Sequence, residues 1–167
     1  VTCETAPHYM MFTHEKLLAR DADYRMNPPL REEEDRRAVL EGVLDGTVDC
    51  IVTDHAPHSP KEKADFEKAP NGIVGLETSF AATLTALYHT GKVPMTKIVT
   101  LMSAEPRRLI GVKEAVIEKG APAEFIIADL DKEWTVDPDK FKSKSRNTVF
   151  KGEKLRGKVL ITCLFYT

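Results

Sequence analysis

The stretch Ile51-Val52-Thr53-Asp54-His55-Ala56-Pro57-His58 holds the most reactive combination of residues in the chain. An apolar run ends in a carboxylate followed by two imidazoles. In parallel α/β folds, active sites are built at the C-terminal ends of such strands. A carboxylate placed there can ligate a metal and can take a proton from a metal-bound water. His58 follows a Pro-stiffened turn and is placed to reach across the same mouth. The alternative is that Asp54 caps a loop and both histidines lie on the surface.

Two further stretches carry possible binding groups. In Met26-Asn27-Pro28-Pro29-Leu30-Arg31 two prolines restrict the backbone and hold Asn27 and Arg31 in place. The Asn27 amide offers both a donor and an acceptor, which suits a ring amide or imide. A rigid connector with a solvated Arg31 explains the same letters. In Lys68-Ala69-Pro70-Asn71-Gly72-Ile73-Val74-Gly75-Leu76-Glu77-Thr78, two glycines precede a helix. They permit close approach of a ligand to main-chain N–H groups, or they mark an ordinary helix entry. His8, in Glu4-Thr5-Ala6-Pro7-His8, reads as a packing or supporting residue rather than a metal ligand. His14 and His89 belong to no motif and read as surface residues.

Strand and helix patterns alternate over the part that carries these stretches. Val1 to Thr5 is β-prone. Ala6 to Leu30 reads as a loop broken by prolines. Glu32-Glu33-Glu34-Asp35 places acids where a helix dipole favours them. Val39, Leu40, Val43 and Leu44 give that helix its apolar face, and Gly46 its C-cap. Val48 to Thr53 reads as a buried strand ending at Asp54. After a loop from His55 to Gly75, Phe80, Leu84, Leu87 and Tyr88 mark a helix that stops near Gly91. Pro94 to Met102 reads as another helix. Ser103 is expected to cap a third, with Leu109 and Ile110 inward and Gly111 as its stop. Beyond Gly111 helical periodicity disappears. Gly120-Ala121-Pro122 is a turn, and Phe125–Leu130, Trp134–Val136 and Lys158–Tyr166 are β-like. The expectation is an α/β unit over residues 1–112 and an all-β unit over 113–167, with parallel strands joined by helical crossovers in the first. A (β/α)₈ barrel usually takes ~250 residues, so this part supplies at most its last strands and helices. Residue 1 is Val within a strand-like run, which suggests the C-terminal part of something longer.

Composition excludes several classes. The 167 residues are 42% hydrophobic and 30% charged, a globular balance. With 24 basic and 26 acidic residues the net charge is −2, and no basic patch points to nucleic acid. No apolar run reaches the ~18 residues of a membrane span, and no signal pattern opens the chain. Cys3, Cys50 and Cys163 form no C-x-x-C pair, so neither a disulfide framework nor a cysteine zinc site is expected. A soluble cytoplasmic protein is the expectation.

Taken together, E-T-A-P-H-Y (4–9), M-N-P-P-L-R (26–31), T-D-H-A-P-H (53–58), A-P-N-G-I-V-G-L-E-T (69–78) and G-A-P-A-E (120–124) resemble the C-terminal half of class I dihydroorotases, in the amidohydrolase superfamily. The likeness runs from residue 1 to about 158. Hydantoinases, dihydropyrimidinases and allantoinases share the fold, and the Asn before two prolines points to dihydroorotase among them. The resemblance implies a (β/α)₈ barrel with one or two zinc ions at its mouth and a small β-sandwich built from both chain ends. It implies reversible hydrolysis of the cyclic amide of L-dihydroorotate to N-carbamoyl-L-aspartate, in pyrimidine (UMP) biosynthesis. By the same resemblance Asp54 is a metal ligand and the proton carrier. Asn27 and His58 match substrate contacts, and Asn71 with Gly72 a main-chain substrate contact, although the family often has Phe at the position of Asn71. The family's His-x-His-x-Arg motif, its bridging Asp or carboxylated Lys, two further histidines and the arginine for the substrate carboxylate are not in this chain. They are expected upstream of Val1, so the chain alone is not expected to turn over dihydroorotate. Leu160 to Thr167 departs from the family's glycine turn and final strand. The resemblance leaves two alternatives open. One is a non-catalytic dihydroorotase-like subunit that binds aspartate transcarbamoylase; the other is a cyclic amidohydrolase acting on hydantoins or allantoin. A homo-oligomer is possible under any of these readings.

Overall fold

The computed structural model describes residues 1–165. Two short strands, β1 (Glu4–Thr5) and β2 (Cys50–Ile51), pair in parallel, Glu4 beside Cys50 and Thr5 beside Ile51. This is the expected parallel pair, in shorter form than the sequence suggests. Main-chain bonds from Asp49 N to Cys3 O (3.0 Å) and from Val52 N to Thr5 O (2.8 Å) extend the pairing slightly.

The segment after β1 is not simply a loop. It forms a short helix, α1 (Pro7–Met11), and then two 3₁₀ turns, His14–Ala19 and Ala22–Tyr24. Pro7 starts α1 instead of breaking it, because the first helical turn needs no N–H donor there. The crossover from β1 to β2 is α2 (Glu33–Asp45). Glu32 and Asp35 form a reciprocal capping box at its start, and Gly46 closes it at φ +91°. Val43 is fully buried, Val39 and Leu40 pack against the core, and Leu44 is 40% exposed. The apolar stripe is therefore narrower than the sequence pattern indicates.

Two helical runs follow β2. The first is α3 (Ser79–Thr83), which continues as a π-helical turn over Leu84–Tyr88. The second is α4 (Met95–Val99), a π-helical turn over Thr100–Ala104, and α5 (Glu105–Leu109). Ser103 lies inside this second run and caps nothing, contrary to the sequence reading. The expected break is bridged because the ladder shifts register: Glu105 N–H reaches back five residues to Thr100 O just before Pro106, which has no N–H to give. Ile110, expected inward, is 75% exposed beyond the end of α5.

The C-terminal part is an antiparallel ribbon of β3 (Ala123–Thr135) and β4 (Lys154–Phe165). The two stretches expected as separate strands are one strand, interrupted by register shifts after Ile127 and after Asp129. The expected last strand begins earlier, at Lys154, and its far end at Tyr166 lies outside the described residues. Phe125, Ile126, Ile127, Leu160, Ile161 and Leu164 of this ribbon are exposed.

The core crosses the change in sequence character at Gly111. One buried cluster brings Phe12, Met26, Ile73 and Val74 together with Val136, Phe141, Val149 and Phe150. The other packs Met10, Val43 and Ile51 against Leu84, Leu87 and Ile98. A Cβ on Gly157 of β4 would lie 2.4 Å from Cδ1 of the buried Leu84, which would have to shift to admit it. His89, which the sequence suggests is a surface residue, is half-buried, and its Nε2 lies 2.8 Å from Leu130 O of β3.

Candidate active site

Asp54 follows β2 after two residues and is exposed. Its φ is +47°, in the left-handed region, one of two non-glycine residues there among those described. That conformation costs an L-residue free energy, and Asp is among the residues that tolerate it best. It turns the chain sharply at the strand end and leads into the Ala56-Pro57-His58 loop.

The loop is bracketed to the Asn71–Gly75 turn by main chain and side chain together. His55 and Ile73 form an isolated parallel bridge. Ala56 N donates to Ile73 O (2.8 Å). The His55 ring is used structurally: its Nδ1 accepts from Gly75 N at 3.1 Å. Both glycines are required by close approach. A Cβ on Gly75 would lie 2.5 Å from Thr53 O. A Cβ on Gly72, whose φ is +118°, would lie 2.4 Å from Ala56 Cβ.

His58 Nε2 lies 3.0 Å from Asn71 O. A carbonyl only accepts, so Nε2 carries the proton in that bond, and the neutral ring keeps Nδ1 as its acceptor. The N–H groups of the glycines, which the sequence suggests could face a ligand, are used within the protein. Gly72 N donates to Arg25 O at 2.9 Å, and Gly75 N to His55.

Asn27 is exposed and follows directly on the Arg25–Met26 segment that Gly72 holds. The Asn27–Pro28 peptide bond is cis. The next carbonyl, Pro28 O, accepts from Tyr9 Oη at 2.8 Å. Burial raises the Tyr9 phenol well above its usual pKa, and the Asp54 charge raises it further. Tyr9 therefore stays a protonated donor, near enough to Asp54 to feel its charge. Arg31 is exposed, with its Nε 3.4 Å from Asp35 Oδ2 on α2. His58, Asn71 and Gly72 are thus linked directly, Asn27 is tethered beside them through its chain neighbours Arg25 and Pro28, and Asp54 is related to the group only by its place at the strand end and its charge near Tyr9.

Lys63 and Asn147 escaped the sequence reading. Lys63 Nζ donates to Ala22 O (3.0 Å) and Pro70 O (2.9 Å), with Arg25 O at 3.5 Å. It ties the Ala22–Arg25 turn to the 55–75 loop around one ammonium, and burial lowers its pKa. Asn147 is buried among the same loops. No local pattern could have revealed either, because their partners are far away in sequence or are main-chain carbonyls. His58, Lys63 and Asn147 line a cleft of about 250 Å³ with Asp21, Asp23 and Arg146. A larger cavity of about 830 Å³ lies between the start of α3 and the ribbon, lined by Leu76, Phe80 and Trp134, and holds none of the candidate residues.

His8 is buried in α1, and its Nε2 has no hydrogen-bond partner. Burial lowers its pKa to about 4. It is a packing residue, as the sequence suggests. Among the described residues no group of three His, Cys, Asp or Glu side chains could hold a metal ion. Catalytic zinc sites usually take about three protein ligands. Asp54 offers one carboxylate, so the residues present do not by themselves fit a metal centre. Among the described residues no helix is long and apolar enough to cross a membrane.

No protein-family model matches the chain. Among curated proteins it is 48% identical over 163 residues to a dihydroorotase of Desulforapulum autotrophicum, covering 97% of this chain and 38% of that protein. It is 44% identical over 163 residues to a dihydroorotase of Bacillus caldolyticus, with the same coverages. Among solved structures it matches an L-hydantoinase (dihydropyrimidinase) from Arthrobacter aurescens with a TM-score of 0.90 and 29% identity, covering 98% of this chain and 38% of that one. The chain therefore spans little more than a third of the length of these relatives. The structural neighbours are hydantoinases of the amidohydrolase fold, and the chain is a homologue of the C-terminal part of dihydroorotases.

Proposed function

We propose that this chain forms one wall of the active site of a dihydroorotase, which opens the ring of L-dihydroorotate to N-carbamoyl-L-aspartate and runs the reverse closure in cytoplasmic pyrimidine synthesis. Residues 1–112 would be the last part of the (β/α)₈ barrel and residues 113–167 part of its flanking β-sandwich. The reading rests on one observation above all: Asp54 stands exposed at the end of a parallel strand in a left-handed turn, beside a loop that carries His58 and is locked to Asn71 and Gly72.

In this reading Asp54 takes a proton from the attacking water as oxygen bonds to the ring carbonyl carbon. It returns that proton to the ring nitrogen as the C–N bond breaks, so that the nitrogen leaves as a neutral amide. Asn27 and His58 hold the substrate's polar edges. His58 would accept through Nδ1, because Nε2 is committed to Asn71 O. The contact at the Asn71-Gly72 turn would run through main-chain groups other than the Gly72 N–H, which Arg25 O already holds. The zinc that the resemblance implies would draw at most Asp54 from this chain and its other ligands from outside it. By the same argument the isolated chain is expected to be inactive.

The likeness to an L-hydantoinase supports a second reading, another cyclic amidohydrolase with the same wall. The full-length protein that carries this chain, assayed with dihydroorotate, hydantoin and allantoin, separates the readings. Preferred turnover of dihydroorotate is expected. Preferred turnover of hydantoin or allantoin moves the assignment to those relatives. A folded full-length protein inactive on all three supports a non-catalytic subunit, for which binding to aspartate transcarbamoylase is the next measurement. The same purified protein gives its oligomeric state.

A further inference from the structure

Asn147 is 4% exposed, yet it lies in coil between Phe141 and β4, some 90 residues from the loop it touches. Both polar atoms of its side-chain amide are engaged. Oδ1 accepts from His58 N at 3.0 Å. Nδ2 has two hydrogens, and it donates to Ala56 O and to Gly72 O, each at 3.0 Å. Its own carbonyl accepts from Val74 N at 2.8 Å. One residue therefore holds the Ala56–His58 loop against the Gly72–Val74 segment. The segment that delivers it is anchored separately, because the Glu77 carboxylate accepts from Lys142 N (2.9 Å) and Ser143 N (3.0 Å) at the entry to α3.

We propose that Asn147 is a positioning residue for substrate binding, the bracket that sets the spacing between His58 and the Asn71-Gly72 turn. This rests on the reading of those groups as substrate contacts. The chemistry is specific to an amide. Asp at this place would turn a carboxylate oxygen toward two carbonyl oxygens, and Leu would leave the part-buried His58 N–H and Ala56 carbonyl and the buried Gly72 carbonyl without their partner. Asp54 reaches its place through β2 and its own turn, without Asn147. Loss of the bracket should therefore weaken binding far more than it slows the chemical step.

The test is steady-state kinetics of the full-length protein with Asn147→Asp and with Asn147→Ser, which keeps one donor and one acceptor, so that a folded variant is in hand if the first fails to fold. Alongside it, amide exchange of His58 is compared with that of Val52, whose N–H is held by Thr5 O. The expected result is a KM for dihydroorotate raised at least about tenfold while kcat stays within about threefold, with the Asp variant worse than Ser. His58 amide exchange should accelerate about tenfold or more while that of Val52 does not. A folded variant with unchanged KM, or one that loses kcat alone, overturns the proposal. If the wild-type protein does not turn over dihydroorotate, the functional reading fails. The exchange comparison then decides the bracket alone: faster exchange at His58 supports it, and equal exchange overturns it.

Discussion

Replacing Gly72 with Ala isolates the close contact on which the site wall depends. The glycine sits at φ +118°, and an added Cβ would meet Ala56 Cβ at 2.4 Å. Ala56 Cβ is fixed to the backbone of the Asp54–His58 loop, so no flexible side chain can swing away. Sparsely populated backbone costs ~1–3 kcal/mol, and overpacking adds ~1–3 kcal/mol. The sum is ~2–6 kcal/mol, which for a fold of this size lowers the midpoint of thermal unfolding by roughly 4 to 24 °C. Gly46→Ala is the control. It also places Ala at positive φ, +91°, but nothing lies within 4 Å of its Cβ. It should cost only the conformational term, ~1–2 kcal/mol. Thermal unfolding of both variants in the same protein, followed by circular dichroism, gives the difference directly. A Gly72→Ala midpoint equal to or above that of Gly46→Ala would mean that the two loops are not packed as described, and the reasoning would fail.

Other perturbations test separate features. Asp54→Gly should release the left-handed turn and raise stability by up to ~1 kcal/mol in urea unfolding while abolishing activity; a less stable variant would contradict the strain. Burial lowers the His8 pKa from 6.5 to about 4. Its neutral form is the folded form, so its stability contribution is complete above pH 6.5 and falls as pH drops toward 4. The loss is on the order of 3 kcal/mol across that window. His8→Gln should flatten this part of the stability curve, and an unchanged slope would show that His8 is not buried neutral.

What the sequence disclosed was local. The acids at Glu32–Asp35 and the glycine at 46 act within one turn, and both ends of α2 fall where they indicate. The T-D-H-A-P-H run could be placed at a strand end because the apolar residues before it are contiguous. What it hid was set by distant partners. Ser103 and Pro106 look like a helix boundary, but the π-helical turn carries the helix past the missing N–H. Leu44 and Ile110 fit apolar periodicity, but the packing does not extend to them. His55 and His58 look alike in the sequence. Only the Gly75 N–H and the Asn71 carbonyl show which nitrogen each ring uses within the protein, Nδ1 of His55 as an acceptor and Nε2 of His58 as a donor. Asn147 has no local signal, since every group its side chain binds comes from the other half of the chain.

Kinetics of Asp54→Asn in the full-length protein, with dihydroorotate as substrate, tests directly whether Asp54 carries the proton. Asn keeps the shape and the tolerance for a left-handed turn but cannot carry the proton. If Asp54 is the proton carrier, kcat falls by at least ~100-fold while KM changes by no more than about threefold. A kcat within about threefold of the wild type would remove Asp54 from the chemistry, and with it the proposed mechanism.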